Sequence, residues 1–414
     1  MRQEIINHLE HPGHLEKLYR DNKPTFKREF NLIYPEIQEK PIARVWYERL
    51  NFEKEEISWG TGKDLTFVIL ASLVAGLLAK IPEITGINEE FFYPRNIAFI
   101  VFPLLIAYFG WKQKMRTGKI LILSTSILVA AGYINLLPGN KDSHTLMLAC
   151  IHLPLVLWAM LGLTFVGDHL NHSQKRLDFL RYNGDLAVIT AIMLIAGGLL
   201  TAVTLGLFEL IDLNIEEFYL QYIVIPGAAA SPIVGTYLVR SNPQLVNKVS
   251  PVIARVFTPI VFVTLLIYLA AVIYTGKDPY NDREFLIIFN ALLVGVMAII
   301  LFSVAAIPDK SGNKTGVLLL TGLSTVTVII NGIALSAILF RIAEYGITPN
   351  RLALLGSNAL ILFNLLVVTV GLFKILKVGN ETKKVELSIV SFLPVYVIWA
   401  LLVTFVFPVL FRFQ

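Results

Sequence analysis

Two arginines, a glutamate and a tyrosine fall within the stretch Arg341–Arg351, RIAEYGITPNR. Arginine's planar fork suits bidentate binding of a carboxylate or phosphate, and Glu344 is placed to neutralise an arginine while no anion is bound. On each side lies an apolar run long enough to cross a bilayer. Asn331 is set in the run before, Asn358 and Asn364 in the run after. A second charged segment, GKDPYNDREF, brings Lys277, Asp278, Tyr280, Asn281, Asp282, Arg283 and Glu284 together ahead of another apolar run, with Asn290 one or two turns in. The chemistry these residues could do is anion or headgroup binding. The candidates at the mouth of such a site are Asp278, Asp282, Arg283, Glu284, Arg341, Glu344, Tyr345 and Arg351. Asn331, Asn364 and His152 are the deeper ones, because a polar or ionisable group inside a spanning segment is a functional suspect and imidazole titrates near neutrality. A plainer reading stands beside this one. Asp282 and Glu284 suit a helix N-terminus, Thr348 before Pro349 suits an N-cap, and buried Asn or His side chains bond neighbouring helices.

The elements that position these groups follow from composition. The chain has 414 residues, 55% of them hydrophobic, and its 16% of charged residues sit in clusters between long apolar runs. Lipid offers backbone groups no partner, so such runs must be helices. Eleven are expected: about 65–81, 97–111, 119–137, 145–166, 186–211, 218–239, 256–275, 285–306, 316–340, 352–373 and 388–411. The run at 97–111 is short for a span. Loops on the N-terminal side of the bilayer carry sixteen Lys/Arg against six Asp/Glu, whereas the opposite side has eight against twelve. The positive-inside rule then places the N-terminus in the cytoplasm and the C-terminus outside.

Residues 1–60 read as a small cytoplasmic helical module, broken at Pro12, Pro24, Pro35 and Pro41. Phe26 and Phe30 share one face; Val45, Trp46 and Leu50 are expected to share another. Trp46 and Trp59 suit either headgroups or a local core. Sixty residues bury little core, so the module is expected to lean on the membrane domain or on a cytoplasmic protein partner. Residues 1–64 hold eleven Lys/Arg and twelve Asp/Glu, which leaves no basic patch for nucleic acid. In PGAAASP, residues 226–232, two prolines bracket small residues, which fits a discontinuous helix at a substrate site or a kinked packing helix. Asp168, His169 and His172 lie in the segment 167–185, read as a solvated loop; a metal site there lacks a fourth ligand. Asp64-Leu65 and Asp185-Leu186 lead at equal offsets to Ala75-Gly76 and Ala196-Gly197, a weak four-helix repeat. One cysteine, Cys150, precludes a disulfide within the chain. No phosphate-binding glycine loop, HExxH or nucleophile elbow is present, and no cofactor motif.

At GKDPYNDREF, the following IIFNALLVGVMAIILF, and FRIAEYGITPNR, the chain resembles the bacterial multi-pass inner-membrane proteins grouped as domain of unknown function 4153. Glu344 to Arg351, in the pattern Glu-Tyr-Gly-x-Thr-x-Asn-Arg, is the most specific match, and LEKLYRDNKPTFKREF resembles the leader of one branch. The resemblance implies a polytopic helical fold and brings no activity, cofactor or catalytic residue. The expectation is therefore an all-α integral membrane bundle of about eleven transmembrane helices over 65–411, surrounded by membrane lipids, with the module at 1–60. Transport or lipid and solute handling at the outer face is one functional reading. A non-catalytic scaffold or sensor that docks a cytoplasmic partner is the other.

Overall fold

The computed structural model describes residues 2–51, 61–138, 143–168, 172–242, 258–267, 269–270, 274, 283–305, 314–378 and 382–413, with the backbone alone in a few helical stretches such as 283–289. Every regular element among these residues is a helix. The chain divides into two compact units, Met1–Ser58 and Trp59–Gln414.

The first unit holds α1 (Arg2–Asn7), α2 (Pro12–Asp21), α3 (Lys23–Ile37) and α4 (Pro41–Asn51). Proline fits a first helical turn, where its missing N–H has no partner to lose, so Pro12 and Pro41 open helices; the Asn22 side chain caps α3 by accepting from Thr25 N at 3.2 Å. Pro35, expected to break the chain, lies inside α3 instead. It stands in the last turn, where one lost ladder bond does not propagate. Phe26, Phe30, Trp46 and Leu50 pack with Ile5, Leu9, Leu15, Ile33 and Ala43. Trp46 is thus core and not a headgroup anchor, and the unit has more core of its own than its length led us to expect. Trp59 lies outside the described residues. Val45 corrects the sequence reading, because it is 62% exposed. Leu50 follows Trp46 by a full helical turn, whereas Val45 sits about 100° round the axis. Arg49 ties α4 to α2, bonding Glu16 at 2.9 Å and lying over the rings of Trp46 and Tyr19. Arg20's hydrogen bond, with Arg49's behind it, holds the Glu16 carboxyl below its ordinary range.

The second unit runs through α5 (Gly62–Ala79), α6 (Ile81–Thr85), α7 (Glu89–Lys112), α8 (Thr117–Leu136), α9 (His144–Val166), α10 (Ser173–Glu209), α11 (Glu216–Tyr219), a π turn at Leu220–Val224, α12 (Ile225–Ser241) and α13 (Thr258–Ile267). It continues through α14 (Arg283–Ala305), α15 (Lys314–Tyr345), α16 (Pro349–Val378), α17 (Thr382–Leu401), a second π turn at Leu402–Val406 and α18 (Phe407–Leu410). Nine helical spans among the described residues are long and apolar enough to cross a membrane, and each overlies one of the expected runs. The other two runs, 256–275 and 285–306, fall on segments described in part, as α13 and α14.

Three expectations change. The run at 97–111 belongs to a 24-residue helix, α7, because Asn88 caps it well upstream by accepting from Glu90 N and Phe91 N. Segment 167–185 is not mainly loop: α10 starts at Ser173 and buries Leu177, Phe179, Leu180 and Tyr182. Those apolar residues recur at helical spacing, and the charges between them mask the pattern in a hydropathy reading. PGAAASP does not interrupt its helix: α12 continues through Pro232, and the irregularity is the π turn just upstream. The close approach here is made by Gly76 of α5, on which a Cβ would stand 3.1 Å from Cβ of Pro226.

The apolar core forms two main clusters. One joins α5, α7, α9 and α12 through Val68, Ala75, Phe109, Leu161 and Tyr237. The other joins α14 to α17 through Leu293, Ile300, Leu323, Ile330, Leu365 and Ile389. Where α5 begins, Thr61 and Asp64 form a reciprocal capping box, and Asp64 pairs with Lys112 of α7.

Candidate functional site

The hairpin between α15 and α16 is built by capping. Gly346 takes the left-handed conformation (φ 76°) that closes a helix C-terminus, and its N–H reaches Ile342 O at 2.9 Å. The last carbonyls of α15 need donors from elsewhere. Arg351 supplies them, with Nη1 donating to Tyr345 O and Gly346 O at 2.8 Å each, and its guanidinium lies 5.5 Å from the centre of the Tyr345 ring. Thr348 Oγ1 accepts from Arg351 N at 3.3 Å and caps α16. Arg351 and Thr348 therefore have the structural role.

Glu344 does not hold either arginine. It is exposed and enters no ion pair with Arg341 or Arg351. The turn geometry sends Arg351 back to the carbonyls, and Glu344 faces outward. Arg341, one turn deeper, has its Nη1 atom buried with no acceptor and no acid within ion-pair reach among the described residues. Tyr345 is exposed one turn on. Asp278 and Asp282 lie outside the described residues. Arg283 and Glu284 open α14, but only their backbone is described.

The deeper candidates form a ladder between helices. Asn331 of α15 donates to Asn358 O of α16 at 3.2 Å, and Asn358 donates to Asn290 Oδ1 of α14. Asn364, farther along α16, donates to Tyr396 OH of α17 at 2.9 Å. Each is buried, and the Oδ1 atoms of Asn331 and Asn364 have no donor among the described residues. Asn290, singled out in the sequence beside the charged segment before α14, and Tyr396, which was not singled out, complete the ladder. The asparagines bind helix to helix, as the plainer reading had it. His152 does not, because its Nδ1 meets Leu148 O of its own helix at 2.9 Å. No group of three His, Cys, Asp or Glu side chains among the described residues could hold a metal; His169 lies outside them.

Two clusters escaped the sequence reading. Lys80, buried after α5, pairs with Glu83, donates to Gln221 Oε1 at 2.9 Å and lies 4.5 Å from the Tyr222 ring centre. Tyr222 OH donates to Glu83 at 2.7 Å, so the first π turn is pinned to the α5–α6 corner. The other cluster surrounds Arg95 of α7, which is only 5% exposed. Its Nε donates to Ile134 O at 3.3 Å and its Nη1 to Phe91 O at 3.3 Å, while Nη2 is buried without an acceptor among the described residues. The Ile134 carbonyl needs a donor because the residue four places on is Pro138, which has no N–H. Beside it, Asn96 and Asn135 exchange amide hydrogen bonds at 2.9 and 2.8 Å. Arg95 lies ahead of the apolar run expected at 97–111, and its burial depends on the longer extent of α7.

Comparison of the chain with protein-family models, with curated proteins and with solved structures finds no match.

Proposed function

We propose that the chain is a multi-pass protein of the bacterial inner membrane that handles an anionic ligand, a lipid headgroup or an anionic solute, at the outer end of its bundle. In this reading eleven helices cross the bilayer, the N-terminus is cytoplasmic and the C-terminus is outside. The segregation of basic loops supports the orientation, and the resemblance carried by Glu344–Arg351 supports the compartment. The observation that carries the function is Arg341. A cation at the end of a spanning helix, with a buried nitrogen that no described residue accepts from, is costly to keep unless an anion completes it.

Because Arg341 makes no hydrogen bond or ion pair with a described residue, Arg341→Ala should fold. It should also lose its share of the thermal stabilisation that phosphatidylglycerol gives the wild type. A site filled to a hundred times its dissociation constant stabilises by roughly 2.7 kcal/mol. An undiminished shift in a folded Arg341→Ala variant would reject the assignment. Orientation is tested separately. A cysteine at Glu344, in a Cys150→Ala background, should label with an impermeant maleimide on intact spheroplasts. Labelling only in inside-out vesicles would invert the topology.

A further inference from the structure

We infer that Arg95 anchors a second oxyanion, a phosphoryl group, where α7 begins and α8 ends. The inference does not rest on Arg341, which is on a different helix and is tested by its own substitution.

Buried arginines are ordinarily matched by a carboxylate. Arg95 has none among its partners. It meets two carbonyl oxygens, Ile134 O and Phe91 O, and the face of Phe91, whose ring centre is 4.0 Å from the guanidinium carbon. These are dipoles and a quadrupole, and the guanidinium keeps its full unit of charge. Part of it is offset by the C-terminal dipole of α8, since Ile134 O is one of that helix's terminal carbonyls. What remains is a cation with Nη2 facing no acceptor among the described residues. An oxyanion supplies both the missing acceptor and the missing charge. Arginine's fork matches a phosphoryl group with two parallel bonds.

Access is set by Phe91. This residue is 38% exposed, so turning a partly exposed ring uncovers the charged group. The Asn96–Asn135 pair on the next residue holds α7 to α8 and keeps the guanidinium in place when the ring turns. Two sources can supply the group, a phospholipid headgroup or free phosphate, and the chemistry is common to both.

The test uses full-length protein in an Arg341→Ala background, so that the other arginine does not contribute. Thermal unfolding is followed in phosphatidylcholine nanodiscs with increasing phosphatidylglycerol and, in a second arm, with inorganic phosphate. Phosphatidylglycerol should raise the unfolding temperature. Arg95→Gln should abolish the rise, Arg95→Lys should keep part of it, and Phe91→Ala should lower the half-saturating fraction severalfold. A rise with inorganic phosphate that needs Arg95 also supports the site and identifies the source as a free anion. Should Arg95→Gln not fold, Phe91→Ala decides: a structural arginine gives no reason for tighter anion binding when the covering ring is removed. An equal rise in folded Arg95→Gln, an unchanged half-saturation in Phe91→Ala, or no rise with either probe overturns the inference.

Discussion

Gly356→Ala is expected to lower the stability of the membrane unit by about 3 kcal/mol, near the upper end for overpacking. A Cβ built on Gly356 of α16 would collide with Cζ2 and Cη2 of the Trp399 ring. The ring cannot simply swing away, because Trp399 Nε1 donates to Ser357 Oγ at 3.0 Å and the ring packs edge-on against Phe407. The added methyl must therefore push α16 and α17 apart. In a helix interior alanine is otherwise better than glycine by about 1 kcal/mol. The same substitution in a Trp399→Ala background should then be neutral or stabilising. Thermal unfolding of the two singles and the double in nanodiscs measures the reversal. A Gly356→Ala protein as stable as wild type would mean that the α16–α17 contact is not as close as the structure has it.

The second large effect is expected at the other end of α17. Glu386 is buried, its side chain 4% exposed, and Arg181 Nη2 of α10 bonds it at 3.1 Å. Arg181→Met removes the cation that bonds the buried Glu386 carboxylate. Such a change costs about 3 to 5 kcal/mol when one member of a buried pair is lost. The lower figure applies here, since Arg181 is itself 40% exposed and Glu386 keeps a further interaction. Arg181→Met/Glu386→Met should recover most of the loss, because two apolar side chains of similar volume replace the pair without an orphaned charge. A double-mutant cycle reads this as a coupling energy. Additive single effects would show that the two residues do not act together.

The contrast between Arg351 and Arg341 shows where reading a sequence stops. Both lie in one charged hairpin and look alike in sequence. Arg351 is six residues past Tyr345 and five past Gly346, and once Gly346 turns the chain left-handed, that distance delivers its guanidinium to the open carbonyls of α15. Arg341 is one turn deeper, with no terminal carbonyl in reach. Glu344 seemed the natural partner of both, yet sequence proximity does not specify which side of a helix end faces out. The asparagines were legible as polar groups in apolar runs. That Asn331 bonds Asn358 O and that Asn364 bonds Tyr396 depends on which helices are neighbours.

The sequence by itself determined that this chain is helical and that long apolar segments alternate with charged connections. Hydropathy is a sum over consecutive residues, and a lipid environment leaves the backbone no alternative to the helix. Helix ends were less legible where charge overlies a buried face, as in α10 between Ser173 and Asp185, or where a cap lies upstream of a proline, as at Asn88 before Pro94. The tertiary structure alone decided which charges are neutralised. Glu386 and Asp64 meet partners, while Arg341 and Arg95 keep buried nitrogens without acceptors among the described residues. An ion pair needs two groups within about 4 Å, and only helix packing brings residues so far apart along the chain to that distance.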